Sequence, residues 1–308
     1  MKVPANKTDG LLLLHKNPGL TSFESLGFIK KNLSTGKAGH TGTLDKFASG
    51  LLIVLVGEAA KLASLFSGCR KIYEGQIHFG IETDTLDPEG NIIARAEVPA
   101  RAAVETILDG FRGNILQAPP AFSAVHIDGV RAHKLSRQGR PPEMKKRPVT
   151  IHELELISWD PPFAGIRVNC SAGTYIRSLA RDIALAAGSR GYLSGLVRTH
   201  IGKFRLADAF NPQDLNQDTD IKTALPEAIH PITPAVFELL DMPSGAANPD
   251  QLRSILHGQS LEGKIFESLL HDLPDAPAAG IFDEETSRLI AVLEQNNGKW
   301  QYGRVFHL

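Results

Sequence analysis

Two spacings of apolar residues alternate along this chain, one of about 2 and one of about 3.6 residues, and the points where they switch predict its elements. Residues 10–16 open with four consecutive leucines and read as a strand, which Pro18-Gly19 closes as a turn. Thr21-Ser22-Phe23-Glu24 has the spacing of a capping box and predicts a helix through Leu33 that turns Phe23, Leu26, Ile29 and Leu33 inward. Residues 58–67 read as a second, short helix. Strict alternation over residues 71–80 then sets Tyr73, Gly75, Ile77 and Phe79 on one face of a strand. Residues 122–127 read as a strand entering a tight turn at Asp128-Gly129, and residues 149–157 and 165–170 as two more strands. Residues 174–187, closed by Gly188, read as a helix with Arg177 in its first turn.

Around residues 209–250 the chain becomes rich in Asp, Pro, Ala and Asn, the composition of a boundary. Beyond it come a helix at residues 249–257 and short strands near 280–283, 289–293 and 300–306. The expected division is a first domain at residues 1–235, with an insertion at about 119–148, and a small β-rich domain at 236–308. Strands and helices mixed without a regular βαβ rhythm place the chain in the α+β class.

The 308 residues, 42% of them hydrophobic, suffice for a core in each domain. Cys69 and Cys170 are too few for a disulfide framework and are expected to be reduced thiols. No basic leader precedes a long apolar stretch, and the aliphatic run from Leu51 to Val56 is far too short to span a bilayer. The expectation is a cytoplasmic protein with no membrane partner.

Charge changes this picture. The net charge of −1 conceals 27 Lys/Arg against 18 Asp/Glu in residues 1–205 and 6 against 16 in residues 206–308. Within residues 131–147 there are seven Lys/Arg and one acidic residue, Glu143. Such a run is either a solvated face or a mobile segment that grips the phosphates of a nucleic acid.

The candidate chemistry lies in Gly39-His40-Thr41-Gly42-Thr43-Leu44-Asp45-Lys46-Phe47-Ala48. Gly36, Gly39 and Gly42 let the backbone approach a ligand closely while Asp45 presents the one carboxylate of the loop. From residue types alone, Asp45 serves equally well as a turn cap. Metal and cofactor motifs are missing from the sequence: it has no Cys-x-x-Cys, no His-Glu-x-x-His and no phosphate-binding glycine loop. No metal and no cofactor are therefore expected.

The loop, continued by Ser49-Gly50-Leu51-Leu52, resembles the catalytic motif of the bacterial tRNA pseudouridine synthases of the TruB type. Four further blocks extend the resemblance over roughly residues 10 to 205: Leu11 to Ser22 with Lys16-Asn17-Pro18-Gly19; Lys71-Ile72-Tyr73 with the acidic turn Thr83-Asp84-Thr85-Leu86-Asp87-Pro88-Glu89-Gly90; the segment from Pro119 to Ala132; and Gly173-Thr174-Tyr175-Ile176-Arg177. Lys46-Phe47 departs from the Pro-Leu that the family usually has after its aspartate. The resemblance implies the pseudouridine synthase fold, a central mixed sheet with a cleft, followed by a PUA-like C-terminal domain.

It also implies roles. Asp45 takes the place of the catalytic carboxylate, as nucleophile or base. Arg177 would orient it and lower its pKa, and Tyr73 would stack on the uracil and assist proton transfer at the ring carbon. His40, Tyr175, Leu196, Lys16 and Lys71 are expected at the substrate, and Lys145, Lys146 and Arg147 on the RNA backbone. The implied reaction converts a flipped-out uridine to pseudouridine in the tRNA T-loop, at position 55, by a monomer that needs no guide RNA. Two alternatives stand beside it. A non-catalytic RNA-folding factor is disfavoured by the intact Asp45, Tyr73 and Arg177, and a guide-RNA-dependent synthase by the acidic C-terminal part.

Overall fold

Seven consecutive buried residues at Leu51–Val56 and Gly57 have apolar neighbours on both sides, and the architecture grows outward from them. The computed structural model describes residues 9–306 except residues 34, 128 and 216–218. In chain order the elements begin β1 (Gly10–Lys16), α1 (Ser22–Leu33), β2 (Ala38–His40), β3 (Ser49–Val56), α2 (Ala63–Ser67), β4 (Lys71–Phe79), β5 (Ile81–Thr83), β6 (Ile92–Arg95), α3 (Arg101–Ile107) and β7 (Gly113–Gln117). They continue with β8 (His126–Ile127), β9 (Val130–Arg131), α4 (Ala132–Arg137), β10 (Arg147–Asp160), β11 (Phe163–Cys170), α5 (Ile176–Ala186), β12 (Gly191–Ile201) and β13 (Phe204–Arg205). The last part holds α6 (Ile221–Glu227), α7 (Pro234–Leu239), β14 (Ser244–Ala247), α8 (Pro249–Leu256), α9 (Glu267–His271), β15 (Ala278–Asp283), β16 (Leu289–Asn296) and β17 (Lys299–Val305).

The large sheet runs β1-β3-β12-β4-β11-β10-β7, with β2 on β3 and β13 on β12. Its described pairs are antiparallel except β12–β3, so the sheet is mixed. That parallel join depends on Gly50, whose φ is +115° and where a Cβ would lie 2.4 Å from the Arg198 carbonyl oxygen. Alternate residues of β1 and β3 serve two cores. Leu12, Leu14, Leu52 and Val54 pack with α1 and α6, while Leu11, Leu13, Leu51 and Ile53 pack with Phe237, Phe282 and Val292 of the C-terminal part. A strand covered on both faces reads as one apolar run rather than an alternation.

A second sheet, β14-β15-β16-β17, has its own core of Ile255, Phe266, Ile281 and Leu293 beneath α8 and α9. No helix among the described residues is long and apolar enough to cross a membrane.

Several expectations are corrected. Phe23 points outward with 78% of its surface exposed, because Ser22, Ser25, Leu26, Ile29 and Leu33 form the buried stripe of α1. Residues 122–125 are not strand, with bends through residue 124, and extended pairing is confined to β8 and β9. Of the expected Asp128-Gly129 turn, Asp128 lies outside the described residues and Gly129 has φ +81°. The helix expected from residue 174 begins at Ile176, and residues 57–62 form a 3-10 turn ahead of α2. Strand β12, in the middle of the sheet, has no counterpart among the sequence expectations. Its mixed sequence, with Ser194, Arg198, Thr199 and His200, hides a strand paired on both edges.

Candidate active site

Asp45 sits in the loop that joins β2 to β3, and buried polar groups fix that loop from beneath. The Ser22 hydroxyl at the start of α1 accepts from the Leu44 N–H at 2.9 Å and donates to the Leu44 carbonyl at 3.2 Å. Lys16, 1% exposed, donates to the carbonyls of Leu20 and Ala48, each at 2.6 Å. Arg198, also 1% exposed, donates to the carbonyls of Leu51 at 2.8 Å, Gly42 at 3.1 Å and Thr43 at 3.4 Å. Two buried cations thus satisfy carbonyls that a glycine-rich turn would leave unpaired.

Arg177 reaches the loop from the first turn of α5. Gln117 clamps the backbone just before it, accepting from the Tyr175 N–H at 2.8 Å and donating to its carbonyl at 3.1 Å. The guanidinium then bridges two carboxylates. Its Nη2 donates to Asp45 Oδ1 at 3.1 Å, and its Nε lies 2.9 Å from Oδ2 with the N–H poorly aligned. Nη1 donates to Asp87 Oδ2 at 3.1 Å and to the Thr85 carbonyl at 2.8 Å, and Nη2 also donates to the Phe122 carbonyl at 3.1 Å. Asp87 accepts in turn from the Thr85 hydroxyl at 2.6 Å and the Glu89 N–H at 3.0 Å.

The side chain of Asp45 keeps 35% of its surface open to the cleft, against 7% for Arg177 and 9% for Asp87. The cleft walls nonetheless hold Asp45 away from bulk water. Burial pushes its carboxyl above the ordinary range; Arg177 pulls it down and Asp87 pushes it up. The expectation that Arg177 would leave Asp45 with a lowered pKa is therefore corrected: the ion pair is present, but desolvation outweighs it.

Asp45, Arg177, Tyr73, His40, Tyr175 and Leu196 are brought together around one cleft of about 1130 Å³. Tyr73 is a nearly buried part of its wall, opposite Arg198 in the β4–β12 register. Burial raises its phenol pKa and the nearby Arg198 draws it back. Burial likewise lowers the pKa of the His40 imidazole, whose Nδ1 has no hydrogen-bond partner among the described residues.

The expected cationic contacts divide. The Lys16 ammonium is a strut within the loop rather than a free contact for substrate, and burial lowers its pKa to about 8. Lys71 lines the cleft, but its ammonium donates to the carbonyls of Ser67 at 2.9 Å and Cys69 at 2.5 Å. Lys145, Lys146 and Arg147 are exposed and lie outside the cleft lining, where the same basic run contributes Arg131 and Arg137 instead. Lys46 approaches Glu89 to 3.6 Å across the rim, both side chains about half exposed. Among the described residues, no group of three or more His, Cys, Asp or Glu is placed to hold a metal.

Sequence reasoning missed Arg198, Gln117 and the part played by Asp87. Asp87 belongs to the acidic turn, but nothing local to it points to Arg177. Arg198 lies two residues past Leu196, and its burial depends on two strands distant in sequence.

An arginine-paired carboxylate and two tyrosines, Tyr73 and Tyr175, thus line one cleft on this mixed sheet. A solved Cbf5–Nop10–Gar1 complex shares the fold, with a TM-score of 0.68 and 23% identity over 97% of this chain and 84% of that one. The description "TruB family pseudouridylate synthase (N terminal domain)" matches residues 30–176. The chain is 37% identical to the tRNA pseudouridine synthase B of Novosphingobium aromaticivorans over 97% of its own length and 98% of that protein's. It is 46% identical to the protein of the same name from Borreliella burgdorferi over 68% of this chain and 75% of that one. The chain belongs to the TruB family of pseudouridylate synthases.

Proposed function

We propose that this enzyme isomerises a uridine of the tRNA T-loop, at position 55, to pseudouridine, with Asp45 as the reacting carboxylate. The observation that carries the reading is the Asp45–Arg177–Asp87 ion network, which lines the same cleft as Tyr73. The relatives named tRNA pseudouridine synthase B support tRNA as the substrate.

The reaction breaks the bond between a uracil nitrogen and the ribose, turns the base, and rejoins it through carbon. Substrate and product are isomers, so no oxidant or energy source is consumed. Asp45 acts as nucleophile or base in its ionised form. Arg177 orients the carboxylate, and its contacts to Asp87 and to the Thr85 and Phe122 carbonyls keep it from following the substrate. Tyr73 offers a face to the extruded uracil, with Leu196 and Tyr175 beside it and His40 toward the vacated position in the RNA. Arg131 and Arg137 reach backbone phosphates. On this reading residues 1–235 are the catalytic unit and 236–308 the PUA-like one.

The test is to incubate the purified chain with an unmodified tRNA transcript, without guide RNA, and to map pseudouridine. Modification of a single T-loop uridine that Asp45→Asn abolishes is expected. Modification elsewhere, or equal product from the mutant, overturns the reading.

A further inference from the structure

Phe23 is the most exposed large apolar side chain among the described residues, at 78%, and it belongs to none of the four apolar clusters of the core. It lines the mouth of the same cleft that holds Asp45. Its outward position is set by the hydrogen bonds at the start of α1. Thr21 and Glu24 close a reciprocal capping box, with the Thr21 N–H to Glu24 Oε2 at 2.7 Å and the Glu24 N–H to Thr21 Oγ1 at 3.1 Å. Ser22 is held to Leu44, the residue before Asp45, by two further bonds. With Ser22 locked inward, the next residue is turned about 100° around the helix, toward the cleft mouth. The ring is therefore carried on backbone pinned to the catalytic loop.

We propose that Phe23 is a stacking platform for a nucleobase of the bound RNA other than the target uridine. The inference rests on the RNA-modifying reading above. Tyr73, recessed in the cleft wall, serves the extruded base, so an aromatic at the mouth meets a different one. The same rim carries Lys46, Arg131 and Arg137, and a flat apolar face beside cations is the combination that holds unpaired nucleotides. A nucleobase fits this surface because it covers the ring with a π-face while its phosphates remain over the cations.

The experiment measures dissociation constants for a T-arm RNA hairpin with the wild-type chain, Phe23→Ala and Phe23→Trp, together with single-turnover rates at saturating enzyme. Phe23→Ala is expected to weaken binding about 5- to 150-fold, the range of base–aromatic stacking, with an unchanged melting temperature and salt slope and a single-turnover rate within about twofold. Phe23→Trp should bind as wild type does. Abasic substitutions along the unpaired nucleotides should locate one position that weakens wild-type binding by the same factor and leaves Phe23→Ala unaffected. Binding by Phe23→Ala within twofold of wild type, or abasic effects identical in the two proteins, overturns the proposal. A wild-type chain that binds the hairpin but forms no pseudouridine overturns the proposed function instead, because the stacking test reads binding alone.

Discussion

Asp45 and Asp87 are held by one guanidinium, that of Arg177, with Asp45 Oδ2 2.9 Å from Nε and Asp87 Oδ2 3.1 Å from Nη1. One buried cation between two carboxylates leaves the cluster with a net negative charge. At the carboxylate nearer the cleft, Asp45, burial above all, and then the like charge of Asp87, disfavour ionisation.

Asp87→Asn removes the like charge and so lowers the pKa of Asp45. If Asp45 reacts in its ionised form, as proposed above, the acid limb of kcat/KM in the wild type should lie above the ordinary carboxylate value of about 3.9. In the mutant that limb should move to lower pH, while the plateau falls at least about tenfold because Arg177 has lost an anchor. A pH–rate profile with the limb unmoved would show that Asp87 does not act on Asp45.

Asp45→Asn should reduce turnover to a trace and leave RNA affinity within a few fold. Its effect on stability follows from the sign of the shift. A carboxyl with a raised folded pKa contributes stability that is full below its unfolded pKa and is lost as pH rises through the folded value. The amide escapes that loss, so the mutant should melt at or above the wild-type temperature at pH 7, and the difference should vanish in acid below about pH 4. Thermal melts at the two pH values check it.

Arg198→Met should destabilise the protein by about 2–4 kcal/mol, because the carbonyls of Gly42, Thr43 and Leu51 lose a buried donor. Urea titration reads this directly. Removing the cation opposite Tyr73 should also raise the pKa of that phenol further, which ultraviolet titration of the tyrosines follows.

The basic run is separable by salt. If the pair lining the cleft binds RNA, neutralising Arg131 and Arg137 should flatten the dependence of log binding constant on log salt by about 0.7–0.9 for each phosphate no longer neutralised. The same should hold for Lys145, Lys146 and Arg147 if the T-arm extends over them, with single-turnover chemistry little changed. A slope unaltered by the triple change would leave those three residues as a solvated face.

Much of the fold was legible where neighbours in sequence decide the outcome. Strand β1 was expected and found at residues 10–16, and β4 shows the alternation of Tyr73, Gly75, Ile77 and Phe79 that the pattern requires. Helix α8 and the strands of the second sheet fall close to their expected places. The capping box of α1 formed with both of its bonds. Yet the same helix shows the limit of periodicity, which could not assign its rotation: Phe23 and Ser22 compete for the inward direction, and the hydrogen bonds from Ser22 to Leu44 favour the smaller, polar residue.

By itself the sequence determined the glycine loop around Asp45, the arginine at the head of α5, the uneven distribution of charge and the family, because each is a property of short segments. Only the tertiary structure decided that Lys16 and Lys71 turn their ammonium groups to backbone carbonyls, that Arg198 lies under the loop, that Asp87 shares Arg177, and that burial overrides the ion pair at Asp45. Those outcomes depend on how much water is excluded and on which polar groups remain unpaired when β3, β4, β12 and α5 meet, and both are sums over residues far apart in the chain.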